Sequence, residues 1–475
     1  MAKKYQKSLI WFRRNLRLAD NEALSEGINN SDNYLLLYIF DEKEWQNNPL
    51  NSRRSSDIKL NFQWEAVNNL AQNIKSKGGE ILIQKGKPEE IIKRLFEEHD
   101  FDALFAPKES GTEEKQVEST IEDLFLKQKA VVNFYAQSTL FHEEDIPWPI
   151  GKLPDIFTQF RKENEKQTKV RELFETPEDF KSSIQVEVDF NFEELEINPV
   201  QFNLKSALDF KGGEDQGWER LQQYFWQNDQ LKEYKHTRNG LIGESYSSKF
   251  SPWLALGCIS PRSIYFEVKR YEKERKKNQS TYWLVFELIW RDYFHFVLKK
   301  FGDDLFKKGG IKKLDSKWKW DLELFNKWKN GETGVPFIDA NMRELNASGF
   351  MSNRGRQIVA SFLVKDLGLD WRMGAWFFEH QLIDYDVASN WGNWAYVAGV
   401  GNDPRENRYF NILSQAKKYD AKGEYIRHWI PELNQIEGFN IHKPSLLKEE
   451  EMIGEGLDIP EIYMKPIVDM RKWEY

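Results

Sequence analysis

The chain has 475 residues, 40% hydrophobic and 30% charged, which is enough for two or three domains around a substantial core. Its single cysteine, Cys258, rules out an intramolecular disulfide, and it has no run of about 18 apolar residues of the kind a membrane-spanning helix needs. The net charge of −8 is unevenly spread: residues 1–200 hold 27 Lys and Arg against 37 Asp and Glu, whereas residues 201–475 hold 41 against 39 and also 14 of the 18 tryptophans. Any surface for nucleic acid is therefore expected in the C-terminal part.

Taken in chain order, apolar runs at 8–12, 34–40, 80–84, 102–106 and 131–135 predict strands. Helix-period stretches near 57–77, 88–99 and 113–128 separate them, so residues 1–135 are expected to form an α/β domain with a doubly wound parallel sheet. No GxGxxG or P-loop lysine pattern marks that domain. The RRNLRL stretch after the first run, with Arg13, Arg14 and Arg17, reads either as a polar turn or as ligand groups. Residues 136–200, with PWPIGKLP and the acidic ETPEDFKSSIQVEVDFNFEELEINP, predict an irregular connector over the surface. Beyond it, over 201–475, strand patterns fade and helical periodicity runs to about residue 435, which predicts an all-α C-terminal domain.

The chemistry-bearing residues lie in that helical part. Asn353, Arg354, Arg356, Asp384, Asp386 and Asn390 are interleaved with Phe350, Trp371, Trp376, Trp391 and Trp394 in what reads as buried helix. Burying unpaired polar groups costs a few kcal/mol each, and unpaired charges cost more. The mixture therefore suggests a flat, polar-edged ligand, and a flavin fits. Arg356 paired with Asp384 satisfies both charges while still presenting donors and acceptors. Ser247, Ser248 and Ser251 flank Lys249 ahead of an apolar helix near Pro252, which reads either as an N-cap or as a pyrophosphate site. Glu287, Trp290, Arg291 and Phe294 fall on one helix face, either as a solvated pair over a core indole or as part of a site. Trp394, Trp371 and Trp318, taken singly, read as core packing. No metal site is expected.

The order of these residues carries a resemblance. GFMSNRGRQIVASFLVKDLGLDW (349–371) and LIDYDVASNWGNW (382–394) resemble the flavin-binding core of the photolyase/cryptochrome family, WFRRNLRLADNEAL (11–24) its N-terminal strand and turn, and YSSKFSPWLALGCISPR (246–262) its phosphate-binding segment. The nearest likeness is to the cryptochrome DASH group, through LPDIFTQFRK (153–162), YKHTRNGLIGESYSSKFSPWLALG (234–257), ELIWRDYFHF (287–296), DANMRELNASGFMSNRGRQ (339–357) and GVGNDPRENRYFN (399–411).

The resemblance implies that the C-terminal domain binds FAD through Tyr234, Ser247, Ser248, Lys249, Phe250, Ser251, Arg291, Asn353, Arg356, Asp384, Asp386 and Asn390, the last matching the side chain that faces flavin N5. Glu287 and Trp290 match residues that receive a pyrimidine dimer, the carboxyl as a donor that must be protonated and the indole as a stacking plane. Trp394, Trp371 and Trp318 occupy the family's electron-transfer ladder, with Trp320 an alternative exit. Glu109 sits where relatives bind an antenna chromophore such as methenyltetrahydrofolate, and also reads as a solvated loop acid. Tyr396 and Gln357 stand where duplex-repairing photolyases carry tryptophan and methionine, and Ser352 with Gln357 replaces the histidine pair of (6-4) photolyases.

The implied activity is repair of cyclobutane pyrimidine dimers: light excites reduced FAD, an electron passes to the flipped dimer, two carbon–carbon bonds split, and the electron returns. Single-stranded DNA is the expected partner, since a smaller, more polar cradle offsets less of the cost of unpairing a duplex. The competing reading is a blue-light photoreceptor that binds FAD, with or without nucleic acid, and signals with little or no repair. A dark flavin oxidoreductase lacks an evident acid/base pair. A soluble, monomeric, cytoplasmic protein is expected, with organelle import left open by the sequence.

Overall fold

A computed structural model of the chain describes residues 3–186, 189–201, 203–315, 317–405, 408–448, 450 and 457–474. Glu187 and Val188 of the acidic stretch, and Glu406 and Asn407 of the 399–411 motif, lie outside the described residues.

Five strands, β1 (Tyr5–Phe12), β2 (Ser31–Asp41), β3 (Ile81–Gly86), β4 (Ala103–Pro107) and β5 (Val131–Tyr135), form a parallel sheet in the order β3-β2-β1-β4-β5. Helices α1 (Glu22–Asn30), α2 (Asp57–Ser76), α3 (Pro88–His99) and α4 (Thr112–Lys127) make the crossovers. Alternate strand residues face opposite ways. Ile10, Phe12, Leu36 and Phe40 therefore share a core with Phe62 and Leu70 of α2 and Leu24 of α1, while Leu9, Trp11, Leu35 and Leu37 pack on Ile92 and Leu95 of α3 and Ile121 and Phe125 of α4. Both sheet faces are covered, as a parallel sheet requires. The strand order reverses between β1 and β4, the switch point at which doubly wound folds form crevices. The sequence reading missed α1; Asn21 caps it by accepting from the Leu24 N–H at 3.3 Å.

The RRNLRL segment is a docking turn. Arg13 pairs with Glu118, and Arg17 donates to the carbonyls of Asp20 and Gly257. Asp20 in turn holds Arg262 of the helical layer at 2.7 Å, with both side chains buried. Gly257 lies so close to this turn that a Cβ would stand 2.1 Å from the Arg14 carbonyl oxygen, and its φ of +68° also favours glycine.

The expected irregular connector contains a helix, α5 (Phe157–Gln167), whose Phe157 and Phe160 are buried. Its sequence FTQFRKENEKQ offers few apolar positions, so helical periodicity is faint. Tertiary anchors hold the segment instead. Asp292 accepts from the Leu140 and Phe141 N–H groups at 2.9 and 2.8 Å, and Ile184 donates to the Tyr34 carbonyl at 2.7 Å.

The rest is helical: α6 (Glu214–Leu221), α7 (Tyr234–Thr237), α8 (Ser251–Ala255), α9 (Pro261–Glu274), α10 (Gln279–Phe301), α11 (Leu322–Asn330), α12 (Pro336–Ser348), α13 (Asn353–Ser361), α14 (Trp371–Gln381), α15 (Val387–Ala398), α16 (Ile412–Tyr419) and α17 (Glu424–Trp429). The 23-residue α10 runs through its centre, capped by a reciprocal Asn278–Thr281 box. Among the described residues no helix is long and apolar enough to cross a membrane.

Candidate functional site

A cavity of about 460 Å³ opens among α10, α13, α15 and the 247–251 segment, within the roughly 300–1,000 Å³ of small-molecule and cofactor sites. Tyr234, Ser247, Ser248, Lys249, Phe250, Ser251, Arg291, Asn353, Arg356, Asp384, Asp386 and Asn390 all line it, as do Glu287, Trp290, Gln357, Tyr396 and Trp394. Trp371, Trp318 and Glu109 do not. Among the described residues no cluster of His, Cys, Asp and Glu has metal-binding geometry.

One corner of the site is built from two carboxylates in the turn between α14 and α15. Asp384 binds Arg356 at 2.7 Å, and its other oxygen, Oδ1, is buried without a partner. Arg356 also donates to the Met351 carbonyl at 2.9 Å, which fixes the guanidinium over Phe350. Asp386 caps α15 by accepting from the Ser389 N–H at 2.7 Å and lies 3.1 Å from His295 Nε2. Burial opposes ionisation of Asp386, but His295, Arg291 and Arg14 overcome it and hold the carboxyl well below the usual range. Asn390 gives its amide to the Ala375 carbonyl at 3.0 Å, leaving its oxygen for the cavity. The sequence reading of a uniformly buried polar set needs correction: Asn353 is exposed at the mouth, Arg354 and Arg356 are half-buried, and only Asp384, Asp386 and Asn390 are buried.

The opposite wall is a strained loop. Ser247 and Lys249 both adopt left-handed backbone conformations, with φ of 57° and 56°, a strain of roughly 1–2 kcal/mol per residue. Arg220 donates to the carbonyls of Ser248 and Glu244 at 3.1 and 2.8 Å, and Lys249 to those of Glu244 and Tyr246. Burial holds the Lys249 ammonium well below its usual range. The carbonyls of this loop are thus tied back, whereas none of the described residues accepts from the backbone N–H of Ser247, Ser248, Lys249 or Phe250. Free donors on a left-handed loop make an anion-binding concavity. Helix α8 has only five residues, so the donors here come from the loop more than from a helix end.

At the mouth, Trp290 and Tyr396 stand nearly perpendicular, 87° apart with centroids 6.0 Å apart. Glu287 is ion-paired with Arg238, a partner the sequence reading did not foresee. Burial pushes the Glu287 carboxyl above its usual range against the pull of that arginine. Tyr396 is tethered beneath Arg408, which is anchored on Asp403, and Arg354 holds the Gln357 carbonyl oxygen at 2.9 Å.

Behind the cavity, Trp371 and Trp318 both donate to the Lys308 carbonyl, at 3.1 and 3.3 Å. A second line of indoles also starts from Trp371: it meets Trp391 at 5.7 Å, Trp391 meets Trp376 at 5.9 Å, and Trp376 meets Trp320 at 6.1 Å. Trp320 is 48% exposed. Trp391 was visible in the sequence only as one more aromatic; its bridging position comes from the helix packing.

Glu109 lies apart. It is buried at the β1–β4 switch point in a cleft of about 10 Å³ with Arg14, Arg17, Gln137, His295 and Asp386. That space holds about one water. Arg291, Leu254 and Asp386 line both this cleft and the large cavity.

Comparisons with known proteins agree with this architecture. Residues 8–178 match the DNA photolyase family model, and residues 283–474 match the FAD binding domain of DNA photolyase. Cryptochrome DASH of Xenopus laevis is 47% identical over 97% of this chain and 89% of its own length. The crystal structure of a Synechocystis sp. PCC6803 cryptochrome superposes with a TM-score of 0.94 at 44% identity, covering 100% of both chains. An archaeal photolyase from Sulfolobus tokodaii, described with two FAD molecules and the implication of a novel light-harvesting cofactor, has a TM-score of 0.78 at 27% identity over 98% of this chain and 97% of its own. The donor set fits FAD: an unpartnered buried carboxylate oxygen and a fixed guanidinium stand on one side, and free N–H donors for a pyrophosphate on the other.

Asp384→Ala leaves Arg356 without its counter-ion and removes an acceptor, so FAD should dissociate about tenfold or more faster in the variant, discounted from a fully buried pair because Arg356 is 24% exposed. Flavin retained per mole of protein after exhaustive dialysis checks it; retention equal to the parent would remove the pair from the site.

Proposed function

The chain belongs to the photolyase/cryptochrome family, nearest its cryptochrome DASH branch, and on that premise we propose that it is a light-driven lyase that splits cyclobutane pyrimidine dimers, preferring single-stranded DNA. The observation that carries this reading is the placement of Glu287, Trp290 and Tyr396 in the wall of the same cavity as the Arg356–Asp384 pair and Asn390. Bound there in reduced form, FAD supplies a light-excited one-electron donor; the protein supplies position and electrostatics.

Trp290 and Tyr396 form two sides of a right-angled wedge that suits the inclined rings of a dimer better than one flat base. Glu287, its carboxyl already raised by burial, donates to the dimer's carbonyl edge once Arg238 turns to a phosphate. With FAD bound, Asn390 would offer the flavin an oxygen with no fixed charge, and the free N–H groups of 247–250 would hold the pyrophosphate. A folate antenna at Glu109 would need the small cleft to widen.

Single-strand preference follows from the same wedge. The Tyr396 hydroxyl is engaged by Arg408, and Gln357 brings an amide where a thioether would grip by contact alone. Less apolar surface then offsets the few kcal/mol needed to unpair and flip a dimer out of a duplex. Since each 1.4 kcal/mol is about tenfold, dimers in single strands should be bound and repaired roughly tenfold or more better than in duplex at matched salt. Glu287→Ala should keep its FAD and lose most repair. Equal repair of both substrates would reject the wedge argument, and no repair of either by reduced protein under light would favour the photoreceptor.

Trp394, Trp371 and Trp318 carry electrons inward from the surface, and Trp391, Trp376 and Trp320 give Trp371 a second exit ending on an exposed indole. Trp394→Phe should retain FAD yet suppress its photoreduction by external donors, Trp318→Phe should slow it only partly, and adding Trp320→Phe should stop it. Full suppression by Trp318→Phe alone would eliminate the second exit.

A further inference from the structure

The LPDIFTQFRK segment contributes no side chain to the cavity, yet its Phe157 lies face to face with Trp290, ring centroids 3.5 Å apart and planes 11° from parallel. Trp290 lines the cavity and Phe157 does not, so the phenyl ring covers the indole face turned away from it. Phe286 meets the same phenyl edge-on at 5.3 Å, and Phe294, itself in the cavity wall, stacks obliquely on the indole with centroids 5.6 Å apart and planes 28° from parallel. Phe157 itself cannot drift. Tyr293 of α10 donates to the Asp155 carbonyl, Lys300 donates to the Leu153 carbonyl at 2.7 Å, Phe160 packs on Tyr293 at 5.3 Å, and Arg161 donates to the Tyr282 hydroxyl at 2.6 Å.

We propose that Phe157 is a positioning residue for dimer recognition: the connector carries it there to lock the plane of Trp290, so that the wedge with Tyr396 is formed before DNA arrives. This rests on the repair reading above and names what makes that site selective. An indole held by a stacked phenyl cannot rotate away without breaking the stack, so a dimer that settles against its cavity side need not fix the side chain on binding. The benefit goes to a ligand that needs both walls at their fixed angle. Contacts to phosphates elsewhere on a strand gain nothing from it.

The test uses the FAD-loaded 475-residue chain in the dark and two single-stranded oligonucleotides of one sequence, with and without a dimer. Phe157→Leu should keep its FAD content and bind the undamaged strand within about twofold of the parent, while affinity for the dimer strand falls about five- to tenfold, the scale of one aromatic pair. Phe157→Tyr should restore it. If Phe157→Leu loses FAD or fails to fold, Phe157→Met is read in its place. Unchanged dimer affinity in the aliphatic variant, or an equal loss on both strands, overturns the positioning role. Parent protein that does not distinguish the two strands overturns the repair reading and the positioning role with it.

Discussion

Two carboxylates in one short turn, Asp384 and Asp386, set the constraint on which the helical domain depends. Charges this deep are tolerated only when paired and hydrogen-bonded. The surrounding elements are placed to do that: α13 brings Arg356, α10 brings Arg291 and His295, and α15 begins where Asp386 can cap it. Tyr385 between them lies under Lys59 at 4.6 Å and Arg14 at 5.8 Å, so the turn is also pinned to the α/β layer. Pairing remains incomplete at Asp384, a residue of the cavity wall whose Oδ1 lacks a partner. The turn is thus both the junction of the molecule and a part of the cavity wall with an unsatisfied acceptor.

Helix α10 distributes the consequences. One face gives Glu287, Trp290, Arg291 and Phe294 to the cavity. Another gives Asp292, Tyr293 and Lys300 to the connector, and His295 points to the small cleft at the switch point of the sheet. Burial raises the Asp292 carboxyl to about 7 despite two N–H donors, so this anchor is costly when charged. A segment that looks like linker in sequence is thereby held with Phe157 stacked on Trp290.

How much of this was legible depended on whether the signal was local. Strands of a parallel sheet are buried on both faces, so β1 to β5 read as plain apolar runs, and their alternation with amphipathic stretches gave the fold class. Helix α5 was illegible because it is nearly all polar and is held by partners more than a hundred residues away, such as Tyr293 and Tyr282. The cavity residues could be named from ordered motifs, but their pairing could not: nothing local places Arg238 on Glu287, joins Trp371 to Trp320 through Trp391 and Trp376, or puts Ser247 and Lys249 at positive φ. Asn353 misled for the opposite reason, since a helix period assigns a face and cannot tell that the face opens onto solvent at the mouth.

The most direct measurement is the linkage between FAD and folding. Protein stripped of flavin should unfold at a lower denaturant concentration than the same protein with FAD added back, and the midpoint should climb with FAD concentration as a single-site ligand requires. Asp384→Ala should blunt that climb. FMN, which lacks the pyrophosphate that the 247–250 donors are placed to hold, should raise the midpoint far less than FAD. An unfolding midpoint indifferent to FAD, or equally responsive to FMN, would contradict the claim that the half-satisfied polar ring of this cavity is completed by the dinucleotide.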